Sequence, residues 1–256
     1  MSPTIFNPYR YAGIDPTLYP QSCGTDANAS VDGVVINTSD EILGTGCLSF
    51  DGTNDFVECN ALDTTCGTAS SKGTITLWAN FDTVNAGRKL WGFGDTDGNS
   101  FIYVEMGDSA EVVAQCRLAG TTQWKCTTGS DAVSTSGWYL ISLTQDGVEP
   151  KIYVNAVEDT TFTVTTDKTK WVNMAGIDNF RLGTAYYNGA NDGYHDGLID
   201  DVGLYSKDIG ASLISDLYNS GTGALVSSIS HAGCVAYYNC DELDGSDLLN
   251  NALPIS

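Results

Sequence analysis

Oxygen-rich turns are where this chain first brings side chains of a reactive type close together. Asp95-Thr96-Asp97-Gly98-Asn99 sets Asp95, Asp97 and Asn99 at alternating positions, as a calcium loop begins, because hard cations take carboxylate and amide oxygens. The turn departs from the EF-hand pattern at Ser100, where a glycine is expected, and at Met106, where a bidentate glutamate is expected. A polar hairpin between Leu90-Trp91-Gly92-Phe93 and Phe101-Ile102-Tyr103-Val104 is the competing reading. A second acidic turn, Asn191-Asp192-Gly193-Tyr194-His195-Asp196, adds Asp192 and Asp196 as candidate ligands for Ca2+. His195 within it reads as a surface residue or a ligand contact.

Aromatic residues point to a second chemistry. A sugar is held by a ring against its apolar face and by Asp, Asn and backbone amides on its hydroxyls. The candidates are Trp78, Tyr186, Tyr187, Asn188, Asp192 and Tyr194, with Trp124 near the Gly120 turn. The stretch from Tyr186 to Asp196 combines Tyr, Asn, Asp and Gly, a composition suited to adaptable polar recognition. In the blander alternative each tyrosine packs the scaffold.

Composition narrows the partners. Eleven Lys and Arg face 32 Asp and Glu, a formal charge of -21, which repels phosphate backbones and anionic lipid. Nucleic acid is therefore excluded as a partner. No apolar run approaches the roughly 20 residues of a spanning helix, so no membrane insertion is expected. Residues 1–20 carry neither a basic n-region nor an apolar h-region, so they do not read as a signal peptide. Either a leader has been removed, or the protein reaches the outside as a virion component released by lysis would. Eight cysteines without paired CxxC motifs read as disulfides. Cys116 and Cys126 flank Gly120-Thr121-Thr122 almost symmetrically, which predicts a cross-strand bridge. Cys234 and Cys240, on one apparent strand, would lie roughly 20 Å apart and need other partners, with Cys23, Cys47, Cys59 and Cys66 available.

These side chains need a frame, and its period is two. Ile75, Leu77, Ala79 and Phe81 face one way while Thr74, Thr76, Trp78 and Asn80 face the other. The same alternation turns Tyr139, Ile141 and Leu143 inward, then Ile152 and Val154. The pattern predicts an all-β, two-sheet antiparallel sandwich. One short helix is expected from Ile209 to Asn219, with Leu213, Ile214 and Leu217 on one face and Gly221 ending it. Asp200 and Asp201, inside a strand, are expected to tie down the backbone amides of a neighbouring loop.

Three segments identify the frame more closely. Gly197-Leu198-Ile199-Asp200-Asp201-Val202-Gly203-Leu204-Tyr205, Leu48-Ser49-Phe50-Asp51-Gly52 and Trp138 to Gly147 together resemble the laminin G-like jelly rolls of the concanavalin A-like lectin/glucanase superfamily. The resemblance implies a jelly roll over residues 46–220, preceded by an arm or extension (1–45) and followed by a C-terminal extension (221–256). Within that extension, Cys234 to Glu242 resembles the strand with which such jelly rolls begin. It completes either its own sandwich or a neighbour's; self-closure is the expectation, because an open half-apolar edge invites aggregation.

The resemblance further implies calcium held by loop acids at the rim. It also implies a recognition role outside cells or on a virion surface, with a glycan or a surface protein as partner. Some relatives are glycosidases, whose carboxylates on a strand would read Glu-x-Asp-x-Glu. Glu242-Leu243-Asp244 and Glu105-Met106-Gly107-Asp108 only approximate that string. With His195 and His231 the only histidines and no nucleophile elbow, no catalytic residue is assigned and no enzyme activity is expected. The alternative is a structural virion or surface-assembly protein, self-associating or joined to other virion proteins through its two extensions.

Overall fold

Alternating apolar residues, broken by Gly, Asn and Asp turns, build two large antiparallel sheets. The computed structural model describes residues 29–59, 62, 70–229, 233–244 and 247–248. Most of the arm, Cys23, Cys66 and His231 lie outside these residues. In chain order come β1 (Ala29–Asp32), β2 (Val35–Asn37), β3 (Cys47–Asp51) and β4 (Phe56–Glu58). The body follows with β5 (Gly73–Phe81), β6 (Lys89–Gly94), β7 (Phe101–Met106), β8 (Val112–Leu118), β9 (Thr121–Thr127), β10 (Trp138–Gln145), β11 (Pro150–Val154), β12 (Val157–Glu158) and β13 (Thr161–Thr165). Then come β14 (Asn179–Leu182), a hairpin of β15 (Ala185–Tyr187) and β16 (Ala190–Asp192), the long β17 (Asp196–Tyr205) and helix α1 (Gly210–Tyr218). The last strands are β18 (Cys234–Tyr238), β19 (Leu243–Asp244) and β20 (Asp247–Leu248).

One sheet has ten strands in the order β13-β9-β8-β7-β6-β14-β4-β1-β20-β19. The other has eight, β12-β11-β10-β5-β17-β3-β2 with β18 also on β17. Between them lies the main core, where Ile75, Leu77, Ala79 and Phe81 of β5 meet Phe93 and Phe180 from the facing sheet. Ile141, Leu143 and Ile152 are buried there, with Tyr139 and Val154 packed against them, as the alternation predicts. Each such side chain stabilises the fold by about 1.5–3 kcal/mol through burial.

The segments flanking the jelly roll join both sheets. Residues 29–45, expected in an arm, contribute β1 beside β4 and β2 beside β3. Strand β18 pairs antiparallel with Val202–Tyr205 of β17, closing onto its own sandwich. Because β3 takes Asp196–Ile199 of the same strand, β3 and β18 share one edge of β17 end to end while β5 runs along the other. Strand β20 then pairs with β1 in the ten-stranded sheet.

The outer face of the eight-stranded sheet is sealed rather than solvated. Helix α1 ends three residues before Gly221, because Asn219 takes the left-handed position (φ 44°) and donates its N–H to the Ser215 carbonyl. Its Ile214 and Leu217, with Val226, cover Trp78, Leu140, Tyr153 and Tyr205. Trp78 is thus 1% exposed and stacks on Tyr218 at 5.9 Å, which removes it from the ligand candidates. Alternation found the face but not the helix that covers it. A bulge in β17, with Asp201 at φ 47°, brings Asp200 and Asp201 under the same cover. Asp200 accepts the amides of Ile42 (3.3 Å) and Leu43 (3.1 Å), the loop-tying role expected of it. Asp201 accepts the Tyr237 hydroxyl (2.6 Å) and the Val226 amide (3.3 Å).

The expected bridge between Cys116 and Cys126 is not formed; both are buried free thiols. The hairpin turns at Ala119-Gly120, pairing Leu118 with Thr121, so Cys116 comes opposite Trp124 and Cys126 opposite Ala114, and the two cysteines never face each other. Cys47, Cys234 and Cys240 are likewise free and buried. Burial pushes the Cys126 thiol up to about 12.

Candidate functional site

The outer face of the ten-stranded sheet carries the hairpin formed by β15 and β16. Asn188 and Gly189 both have positive φ (51° and 78°), the two-residue turn whose twist matches that of its strands. The hairpin lies flat because β6 presents glycine beneath it. A Cβ at Gly92 would strike Ala185, and one at Gly94 would strike the Tyr186 carbonyl. Its tip is fastened to the Asp95 turn: Asn188 N–H donates to the carbonyls of Asp95 (3.0 Å) and Gly98 (2.9 Å), and Gly189 N–H to that of Thr96 (2.7 Å). Two loops read separately in the sequence are therefore one structure.

Beside the hairpin, the outward residues of β7 form an aromatic layer. Phe101 stacks on Tyr103 (4.7 Å, 15°) and packs against Tyr187 of the hairpin (4.4 Å). Tyr187 is the half-exposed ring of this layer. Lys89, only 3% exposed, reaches Glu105 at 2.6 Å and Asp192 at 3.0 Å, with its ammonium 4.5 Å from the centre of the Tyr103 ring. The Tyr187 hydroxyl donates to Asp192 at 2.8 Å. Burial raises the pKa of Tyr103 and of Tyr187, so both hydroxyls stay protonated donors. Behind the hairpin, the Arg181 guanidinium lies between the rings of Phe56 (4.4 Å) and Tyr186 (4.1 Å) and binds Glu58 (2.5 Å) and Asn191. Burial pulls its pKa down, and Glu58 opposes that pull.

Of the residues expected to touch a ligand, Tyr186, Tyr187, Asn188 and Asp192 stand together on this hairpin. Tyr194 is half-buried just beyond it, its carbonyl accepting from Arg88 at 2.9 Å. Trp124 is fully buried, its indole N–H donating to the Lys170 carbonyl. His195, expected at the surface, is 0% exposed and lies edge-on to Phe50 (5.7 Å) and Phe81 (5.6 Å); burial pulls its pKa down to about 4. Phe101, Tyr103, Lys89, Glu105 and Arg181 escaped the sequence reading. The signal for three of them was Phe101-Ile102-Tyr103-Val104-Glu105, where the face opposite the core reads aromatic, aromatic, acid.

Several of the oxygens expected to hold calcium have protein partners, while the Asn99 side-chain oxygen is buried without one among the described residues. Asp192 is taken by Lys89 and Tyr187, and Asp196 accepts the Thr83 hydroxyl (2.9 Å) with Arg88 at 3.8 Å. Asp95 accepts the Asp97 amide at 3.2 Å, and the carbonyls of Asp95, Thr96, Gly98 and Asn99 accept backbone amides. Among the described residues no three His, Cys, Asp or Glu side chains converge as metal ligands.

Comparison with known proteins agrees with the sandwich. The family model described as the concanavalin A-like lectin/glucanases superfamily matches residues 51–215, more than half of the chain. The chain belongs to that superfamily. Among solved structures, this superfamily member is similar to the Ruminococcus gnavus IT-sialidase CBM40 bound to alpha2,3 sialyllactose (TM-score 0.51, 16% identity, covering 58% of this chain and 83% of that one). It is also similar to domain 4 of AbnA, an extracellular arabinanase from Geobacillus stearothermophilus, in complex with arabinotriose (TM-score 0.55, 17% identity, 73% and 86%). A third match is the NanB sialidase from Streptococcus pneumoniae (TM-score 0.56, 20% identity, 66% of this chain but 27% of the sialidase). No curated protein matches the sequence. At these identities the likeness shows the superfamily fold alone. Among the described residues no helix of this superfamily member is long and apolar enough to cross a membrane.

Proposed function

We propose that the chain is a non-catalytic glycan-recognition module that works outside the cell, on a cell or particle surface. The observation that carries this reading is the outer face of the ten-stranded sheet. There a half-exposed Tyr187 ring tops the Phe101 and Tyr103 layer, with hydrogen-bonding side chains around it. Aromatic faces beside fixed polar groups are what sugar recognition requires. The likeness to domains solved with sialyllactose and arabinotriose supports the same reading.

Glycoside cleavage needs two carboxylates with the scissile bond between them. Glu105 and Asp192 are close enough to share one ammonium, but Lys89 occupies the space between them. The alternative role in particle assembly relied on the N-terminal arm and the C-terminal strand as connectors, and of these β18 is used within its own sheet.

A glycan array with and without chelator tests the proposal. Saturable binding is expected, at least about tenfold weaker per folded molecule in Tyr187→Ala, and the chelator arm reports whether an ion takes part. Failure to bind any glycan would overturn the reading, as would release of reducing sugar that disappears in Glu105→Gln.

A further inference from the structure

Two cross-strand rows run over the open part of the same face. Tyr103 stands opposite Gln115, Gln115 opposite Lys125, and Lys125 opposite Val164; in the neighbouring row Phe101 stands opposite Arg117. Arg117 and Lys125 are both half-buried, and Ala114, Cys116, Trp124 and Cys126 beside them point into the core, which fixes the two cations outward. The other cations of this face, Lys89 and Arg181, are matched by carboxylates. Arg117 and Lys125 have no carboxylate within ion-pair distance among the described residues.

In a chain with 32 acids and 11 Lys and Arg, two neighbouring unmatched cations run against the composition. Arg117 is also held ready. Its Nε donates to the Gly120 carbonyl at 2.8 Å, and its guanidinium carbon sits 6.0 Å from the centre of the Phe101 ring, so the remaining donors of the fork are oriented before any ligand arrives. Gln115 uses Oε1 to accept from the Tyr103 hydroxyl at 3.4 Å, leaving its amide N–H groups to donate between the two cations. Arg117 and Lys125 lie diagonally across β8 and β9, Arg117 about 7 Å along the strand from Gln115 and Lys125 about 5 Å across from it, a spacing over which two long side chains can converge on one carboxylate. The net charge of -21 does not prevent this, because charges more than about 8 Å away are screened at physiological salt.

We infer that Arg117 and Lys125 receive a carboxylate carried by the sugar, so that the ligand is an acidic glycan. This rests on the glycan-binding reading and narrows it.

The test is titration calorimetry with matched probes: oligogalacturonate against its methyl ester, and sialyllactose against lactose. The first pair reports a uronate and the second a sialate. In at least one pair the acidic member is expected to bind tenfold or more tightly than its neutral counterpart. That advantage should shrink as salt rises and vanish in Arg117→Ala. Arg117→Lys, which keeps the charge but not the fork, should retain part of it, and Lys125→Ala should lose part of it, each at an unchanged unfolding midpoint. Equal affinity within both pairs would overturn the inference while leaving glycan binding intact. An acid preference unaltered in both alanine variants would also overturn it, by placing the receptor elsewhere. Absence of binding to all four probes on an array that shows no other glycan would overturn it together with the reading on which it rests.

Discussion

The two outer faces of the sandwich start from the same strand alternation and end in opposite chemistry. On the eight-stranded sheet, Trp78, Leu140, Tyr153 and Tyr205 vanish beneath α1, and the polar groups there, Asp200 and Asp201, are spent on the chain's own amides and Tyr237. On the ten-stranded sheet the covering element is a two-strand hairpin that leaves β8 and β9 half open, and the polar groups are aligned in rows across the strands. A face closed by a helix contributes stability; a face closed only in part keeps side chains for other molecules.

Breaking the sealed face should cost the most. Leu217→Ala leaves a cavity under α1 and is expected to destabilise the protein by about 2–5 kcal/mol in urea unfolding, with glycan affinity per folded molecule unchanged.

The same face should also make stability depend on pH. Burial pushes Asp200 up to about 8 and Asp201 up to about 7, so the folded state holds protons that the unfolded state has already released. Among the described residues no cation faces them: Asp200 has Cys47, Cys240 and Asp201 nearby, and Asp201 has Tyr237, Tyr205, Cys234 and Asp241. Their contribution is fully present at low pH and is lost as pH rises through their folded values. His195 works the other way, but only below its ordinary value of 6.5. Unfolding free energy should therefore fall most steeply around pH 6 to 7.5 and level off above about pH 8. A midpoint that rises over that interval would contradict this.

The open face should respond with smaller costs in stability and larger costs in binding. Gly94→Val drives a side chain into the Tyr186 carbonyl and should lift the hairpin, at about 1–3 kcal/mol with glycan binding abolished. Tyr187→Phe removes only the hydroxyl that Asp192 accepts. A loss of about 0.5–1.5 kcal/mol and a several-fold weaker affinity are expected, read by thermal unfolding and calorimetry on one sample.

How far each face could be read in the sequence follows from the range of the forces involved. Alternation in β5 and β10 is local and names the inward residues correctly, since one face of a strand must be apolar to pack. It cannot say whether the other face meets water, and Trp78 was misplaced because its cover arrives more than a hundred residues later in the chain. Cys116 and Cys126 were misjudged because the turn falls at Ala119-Gly120, ahead of the point midway between them, and the turn sets the register of the whole hairpin. His195 looked exposed because its neighbours are acidic and glycine-rich, yet alternation entering β17 turns its ring between Phe50 and Phe81. Tyr186, Tyr187 and Asp192 were singled out because a polar, aromatic turn concentrates its signal in a few positions. Arg117, Lys125 and Gln115 were not, because only the register of β8 against β9 makes them neighbours.

The shared edge of β17 also orders events during synthesis. A ribosome delivers β3 and β5 well before β17, but the partner for Val202–Tyr205 lies at residues 234–238 and reaches that edge only after the polymerisation of everything between. A nascent chain halted near residue 225 would hold a nearly complete sandwich with a strand-length slot open. Any extended peptide that fits this slot in passing would act as a temporary stand-in until the authentic strand displaces it.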